Sequence, residues 1–390
     1  MENCKVIQKN EEQEREQENN TKKKVRDSGI ELLRIIMMIQ VIFLHLCGPG
    51  GYGNTIQKLV EDGSFSQIHN TIYLIMWLSS RYMMILWFML YGYFSAEKTY
   101  TLRTAVDRAK KMHSPMVFYG IMITLVILAT KLFDINPTTS LFKAITPILS
   151  GTWYFMSNYI LLTLVIPFVN KAIKNISKRE YIYLLSFFIV IFIWRICATD
   201  IDFFSDLFSI DNVFINGSKN FLTFFFMYLL GGYIKKYVPE KAINKYIYLA
   251  LFFICTIVNF IMVKNINGYS VNIAGRGDNP IIIFQAITLL LFARELKFKS
   301  KFINRVSKAN LAVYIIHEQP FVREMLWATL PFKNESFYQS NSYLYIIYGI
   351  ITCIVIYIAC NLIEQIRLLI VEKAKKYRTI IKENLNQDNI

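Results

Sequence analysis

Two side chains in one apolar stretch could combine acid–base and charge-stabilising chemistry: Arg34 and His45. They stand in GIELLRIIMMIQVIFLHLC, whose helix over 30–47 is long enough to cross a bilayer and nearly free of charge. Eleven residues at about 100° each leave a net rotation of roughly 20°, so both fall on one helix face. The rise between them is about 16 Å, roughly half the hydrocarbon thickness. A cation and a titratable imidazole at two depths of one stripe suggest a functional track through a membrane. Neutral imidazole suits a general base acting on a hydroxyl near pH 7. Plainer readings compete: His45 as a packing residue, and Arg34 either paired with Glu31 one turn earlier or snorkelling to the interface.

A second polar cluster interrupts SKANLAVYIIHEQPFVREMLW, with His317, Glu318, Gln319 and Arg323 among apolar neighbours. Tyr314 and His317 are three apart and share a face, and Pro320 kinks or breaks the helix. Such a density of polar groups at membrane depth implies protein contacts or a cavity rather than lipid. Arg81 lies mid-span in another segment, where a charge is costly without a partner or water. The connection AEKTYTLRTAVDRAKKMH carries Lys98, Arg103, Arg108, Lys110 and Lys111. It could hold lipid headgroups or a phosphorylated cofactor, or act only as a topology signal. GTWYFMSNYILLTLVIPFVN opens with Trp153 and Tyr154, which reads by default as an interfacial aromatic pair. Pro167 should bend or end that helix. Gly92, among bulky aromatics, marks a close helix approach or a local break.

The elements that must position these groups are helices. The chain has 390 residues, 54% of them hydrophobic, and the apolar residues come in blocks of membrane-helix length. Ten such blocks are predicted, at about 30–47, 71–95, 114–133, 153–170, 181–197, 219–234, 245–263, 280–296, 309–330 and 342–367. The expected fold is an all-α polytopic membrane protein with about ten transmembrane helices. Of the 43 Lys and Arg residues, 32 fall in or beside the first tail and the connections after even-numbered blocks, against 7 on the opposite side. Arg34, Arg81, Arg195 and Arg323 lie within segments. That alternation predicts both termini in the cytoplasm. It also accounts for the net charge of +15 without nucleic acid as a partner. The expected division is a polar, disordered tail at 1–28, a membrane domain at 29–370 and a short cytoplasmic tail at 371–390. The first block lacks a cleavage site, so it is expected to stay in the mature protein. The outer connections 47–70, 198–218 and 264–279 read as solvated loops or as surfaces for a polar acceptor. The six cysteines are scattered, form no metal spacing and read as apolar fillers; no metal site is expected. Nothing in the sequence points to a particular oligomeric state.

No P-loop, zinc HExxH, G-x-S-x-G elbow or dinucleotide fingerprint occurs, which counts against ATP-driven transport and soluble-type hydrolysis. The sequence resembles the integral-membrane acyltransferase-3 family, which includes bacterial O-acetyltransferases of cell-surface polysaccharides. The resemblance rests on four stretches in order: ELLRIIMMIQVIFLH, with the family's Arg, ten residues and His; FMLYGYF; WYFMSNYILLTLVIPFVN; and the late region through NLAVYIIHEQPFVREMLW. It covers roughly residues 28–370. Many members have Ser-Gly where this chain has Tyr91-Gly92, so a role for that serine does not carry over. The resemblance implies transfer of an acyl group, usually acetyl from acetyl-CoA, to a hydroxyl of a glycan or lipid-linked glycan precursor at the bacterial plasma membrane. It implies His45 as base or acyl relay and Arg34 orienting the donor or stabilising charge at its carbonyl. Arg81, Arg103, Arg108, Lys110 and Lys111 would then meet the donor, and Trp153, Tyr154, Tyr314, His317 and Glu318 the acceptor side. A transporter or flippase of a lipid-linked glycan is the competing class.

Overall fold

The computed structural model describes residues 27–48, 68–200, 221–266, 269, 271–330 and 342–387. Most of the predicted N-terminal tail and of the connections 47–70 and 198–218 lies outside the described residues. Every regular element among the described residues is helical. Among the described residues, six helical stretches are long and apolar enough to cross a membrane: Ser28–Cys47, Thr71–Ser95, Leu102–Thr130, Tyr154–Asn175, Lys245–Asn265 and Tyr343–Ala374. Over its described residues the chain is therefore all-helical, with the helices of a membrane protein.

Helix α1 (Ser28–Cys47) packs chiefly against five later α-helices among the described residues. These are α3 (Met83–Ser95), α11 (Pro280–Glu295), α12 (Lys301–Val306), α13 (Asn310–His317) and the long α15 (Ser342–Gln387). Its start is fixed tightly. Asp27 caps it by accepting from the Gly29 N–H at 3.0 Å. Ser28 accepts from the Ser300 N–H at 2.7 Å, and its own N–H donates to Phe298 at 3.1 Å. A Cβ on Gly29 would collide with the backbone carbonyls of Ala293 and Leu296, so only glycine allows this approach to the end of α11. Lys297 reaches Glu240 at 3.3 Å, and this hydrogen bond holds the Glu240 carboxyl below its ordinary range.

The second apolar segment is two helices, α2 (Ile68–Leu78) and α3, separated by a turn at 79–82 that contains Arg81. The expected span is thus interrupted. α3 packs most closely on α8 (Phe221–Tyr237). A Cβ on Gly92 would fall on the Tyr228 carbonyl, and one on Gly231 on the Met89 carbonyl. The two glycines let the backbones meet, as small residues do where helices associate in lipid.

Helix α4 (Leu102–Thr130) begins well before the predicted segment at 114. Thr101 caps it by accepting from the Thr104 N–H at 3.2 Å, so most of the basic connection is helical. The short α5 (Pro137–Ile145) lies against α4. Pro167 lies inside the continuous α6 (Tyr154–Asn175) and does not end it. The remaining elements among the described residues are α7 (Lys178–Asp200), α9 (Lys245–Asn265), the one-turn α10 (Val271–Ala274), a 3-10 turn at Ser307–Ala309 and α14 (Pro320–Thr329). α15 continues through Gln387, into the predicted C-terminal tail, because residues 371–387 are rich in strong helix formers. The described part of the connection 264–279 is tied in rather than loosely solvated. Asn259 donates to Ala274 at 2.9 Å, Tyr269 to Asn259 at 2.7 Å and Asn279 to Tyr269 at 2.7 Å.

Candidate active site

The ninth segment is broken, and the break builds the site. Pro320 has no N–H for the Ile316 carbonyl, which instead accepts from Gln319 at 3.3 Å. That shift leaves the Ile315 carbonyl without its helical donor. The Trp153 indole N–H replaces it at 3.1 Å. Gln319 then caps α14, accepting from Phe321 at 2.8 Å and Val322 at 3.1 Å. His317 is the last residue of α13, and Glu318 sits in the gap.

His45, one turn from the end of α1, meets this break. Its Nδ1 lies 2.9 Å from His317 Nε2 and 3.1 Å from Glu318 Oε1. The other ring nitrogen of His317, Nδ1, lies 2.6 Å from the Val313 carbonyl. A carbonyl only accepts, so His317 Nδ1 carries the proton and Nε2 presents a lone pair to His45. His45 Nδ1 must then be the N–H of that contact, and in the neutral ring its Nε2 is the acceptor. Arg323 stands 3.5 Å from the other Glu318 oxygen. The Tyr314 ring closes one side, 6.3 Å from His45 and 6.0 Å from His317 between centroids. His317 is fully buried, whereas the side chains of His45 and Glu318 keep 22% and 12% of their surface exposed. The pair is enclosed and still reachable.

The start of α1 has a different chemistry. Arg34 donates to Glu31 at 2.8 Å, so the plain pairing reading is realised. Glu31 in turn accepts from Ser307 at 2.5 Å. The Arg34 Nε is nevertheless buried without a hydrogen-bond partner, while the side chain as a whole keeps 24% of its surface exposed. Its guanidinium lies 5.3 Å from the Phe94 ring centroid. Arg34 and Arg108 both lie within electrostatic reach of Tyr159, which stacks on Tyr91 at 4.4 Å. Arg108 also lies over the Tyr100 ring at 4.4 Å. The Tyr91 hydroxyl pairs with Thr163 at 2.8 Å.

The structure thus brings His45, Tyr314, His317 and Glu318 together at one end of α1, and Arg34 and Arg108 at the other. Arg103, Lys110 and Lys111 project from the exposed face of α4. Arg81 is not part of the Arg34–Arg108 group. It donates from Nε to Gly275 at 2.8 Å and stacks over Trp77 at 4.5 Å. Trp153 is 1% exposed and is bonded to Ile315, so it supports the break and lines no surface. Tyr154 is half-buried and lies within electrostatic reach of both Glu318 and Arg81. Sequence reasoning missed Gln40, which accepts from Tyr82 at 2.5 Å and ties α1 to the turn holding Arg81. Its polarity between Arg34 and His45 was the available signal.

No curated protein and no solved structure matches the chain. The family model described as an acyltransferase domain, that of the acyltransferase-3 family, matches residues 27–361. That match takes in both ends of α1 and the broken ninth segment, and the chain belongs to the acyltransferase-3 family.

Proposed function

We propose that this acyltransferase moves an acyl group, acetyl in the first instance, from cytoplasmic acyl-CoA to a hydroxyl of a cell-surface glycan or its lipid-linked precursor. In this reading the chain crosses the cell membrane ten times with both termini in the cytoplasm. The observation that carries the reading is the His45–His317–Glu318 contact in a membrane-embedded acyltransferase domain. His45 Nε2 takes the proton of the acceptor hydroxyl, and the oxygen attacks the thioester carbonyl. Glu318, beside His45 Nδ1, stabilises the imidazolium that forms. As the tetrahedral intermediate collapses, the C–S bond breaks and the leaving thiolate takes the proton from His45. Glycan ester and free CoA are the products.

Arg34 lies about 16 Å away along α1, too far to touch the same carbonyl. With Arg108 it fits the phosphate-bearing or pantetheine part of an extended donor, at the cytoplasmic end. Arg103, Lys110 and Lys111, exposed beside them, supply long-range attraction for the nucleotide. Tyr154 and Tyr314 would face the acceptor, with Arg81 beyond them.

Purified protein supplied with radiolabelled acetyl-CoA and a crude cell-surface glycan extract should place label in glycan. Acetyl-CoA should also raise its melting temperature. No label with any extract and no response to the coenzyme would overturn the reading in favour of a flippase.

A further inference from the structure

We propose that His45, His317 and Glu318 form a site for one divalent transition-metal ion of the zinc class, and that filling it holds the centre at rest. One ligand atom from each residue, His45 Nδ1, His317 Nε2 and a Glu318 oxygen, lies within 4.8 Å of the others. Zinc holds nitrogen and carboxylate ligands at about 2.0–2.2 Å in tetrahedral sites, which places ligand atoms about 3.3–3.5 Å apart. The two separations from His45 Nδ1 are 2.9 Å and 3.1 Å, short of that spacing by about 0.5 Å or less, and the third lies within 4.8 Å.

Two features beyond the cluster support it. His317 is held by its Nδ1–H on the Val313 carbonyl, the arrangement that fixes the ring of a metal-bound histidine and aims its other nitrogen at the ion. Arg323 lies against the second Glu318 oxygen and orients that carboxylate from outside. Two imidazoles and one carboxylate favour zinc or cobalt over calcium or magnesium, which prefer oxygen ligands. The three ligands come from α1 and from the end of α13, so two helices would be joined through the ion. Two of them are separated by 272 residues, which is why no local spacing announces the site.

The consequence rests on the function proposed above; binding of the ion does not. A metal on His45 Nδ1 leaves the ring proton on Nε2. That nitrogen then cannot accept the proton of an acceptor hydroxyl, and transfer stops until the ion leaves.

Metal-free, full-length protein in detergent, without any histidine tag, would be titrated with Co²⁺ and read by visible absorption and by equilibrium dialysis. One ion per chain is expected, with uptake at least tenfold weaker in H317Q and in E318Q. H113Q, on α4 outside the cluster, should match wild type. E318D should retain the ion, and it decides the matter where E318Q does not fold. No stoichiometric uptake, or uptake unchanged in both cluster variants, overturns the site. Zn²⁺ should then lower glycan labelling at least tenfold, reversibly by chelator. Uptake with undiminished labelling overturns the resting state. Absence of labelling by the metal-free protein counts against the proposed reaction and leaves the titration decisive for the ion.

Discussion

The two ends of α1 handle charge in opposite ways. At the start, Arg34 has an acidic partner one turn away and a hydrogen-bonded chain through Glu31 to Ser307, in aromatic surroundings shared with Arg108. It is a fixed cation, suited to holding a polyanion. At the end, His45 meets a second histidine and a carboxylate, and its partners decide which nitrogen carries the proton. That end is suited to moving a proton. In the proposed reaction one helix would therefore separate donor binding from chemistry by about half the membrane's thickness.

The largest way to break this comparison is His45→Ala. It removes the proposed base and should lower turnover about 10²–10⁴-fold while the protein still inserts, as measured by label transfer and detergent gel filtration. Glu318→Gln keeps the shape but removes the charge beside Nδ1. It should lower turnover about 10–100-fold, in line with the 1.5–3 kcal/mol of a charged hydrogen bond, with little change in donor KM. Arg34→Ala should act the other way, raising donor KM about tenfold with a smaller change in kcat in initial-rate kinetics. Trp153→Phe sharpens the comparison from outside the site. It leaves the buried Ile315 carbonyl without its donor, at a cost of about 1–3 kcal/mol. Thermal melting should show that loss, with turnover falling far less than in His45→Ala.

The helical class and the Arg34–His45 stripe were legible because apolar length and helical periodicity are local properties of a chain. Pro320 likewise announced the break beside His317. The contact of His45 with His317 and Glu318 was not legible, since it joins parts of the chain 272 residues apart and depends on how α1 packs on α13. The interruption at 79–82 was hidden for another reason: it carries neither proline nor glycine, and Arg81 in it is held by Gly275 from a distant connection. Trp153 looked like an interfacial aromatic because its partner, a single orphaned carbonyl, exists only once the ninth segment is broken. The basic stretch after α3 read as a connection because its charges masked a buried face at Ala105, Ala109 and Met116.

The measurement that bears most directly on the division of labour is acetyl-CoA affinity and glycan labelling measured together on wild type, Arg34→Ala and His45→Ala. His45→Ala should bind acetyl-CoA like wild type and leave glycan unlabelled. Arg34→Ala should bind it about tenfold more weakly and label glycan once the donor is raised. His45→Ala labelling at the wild-type rate would contradict the account.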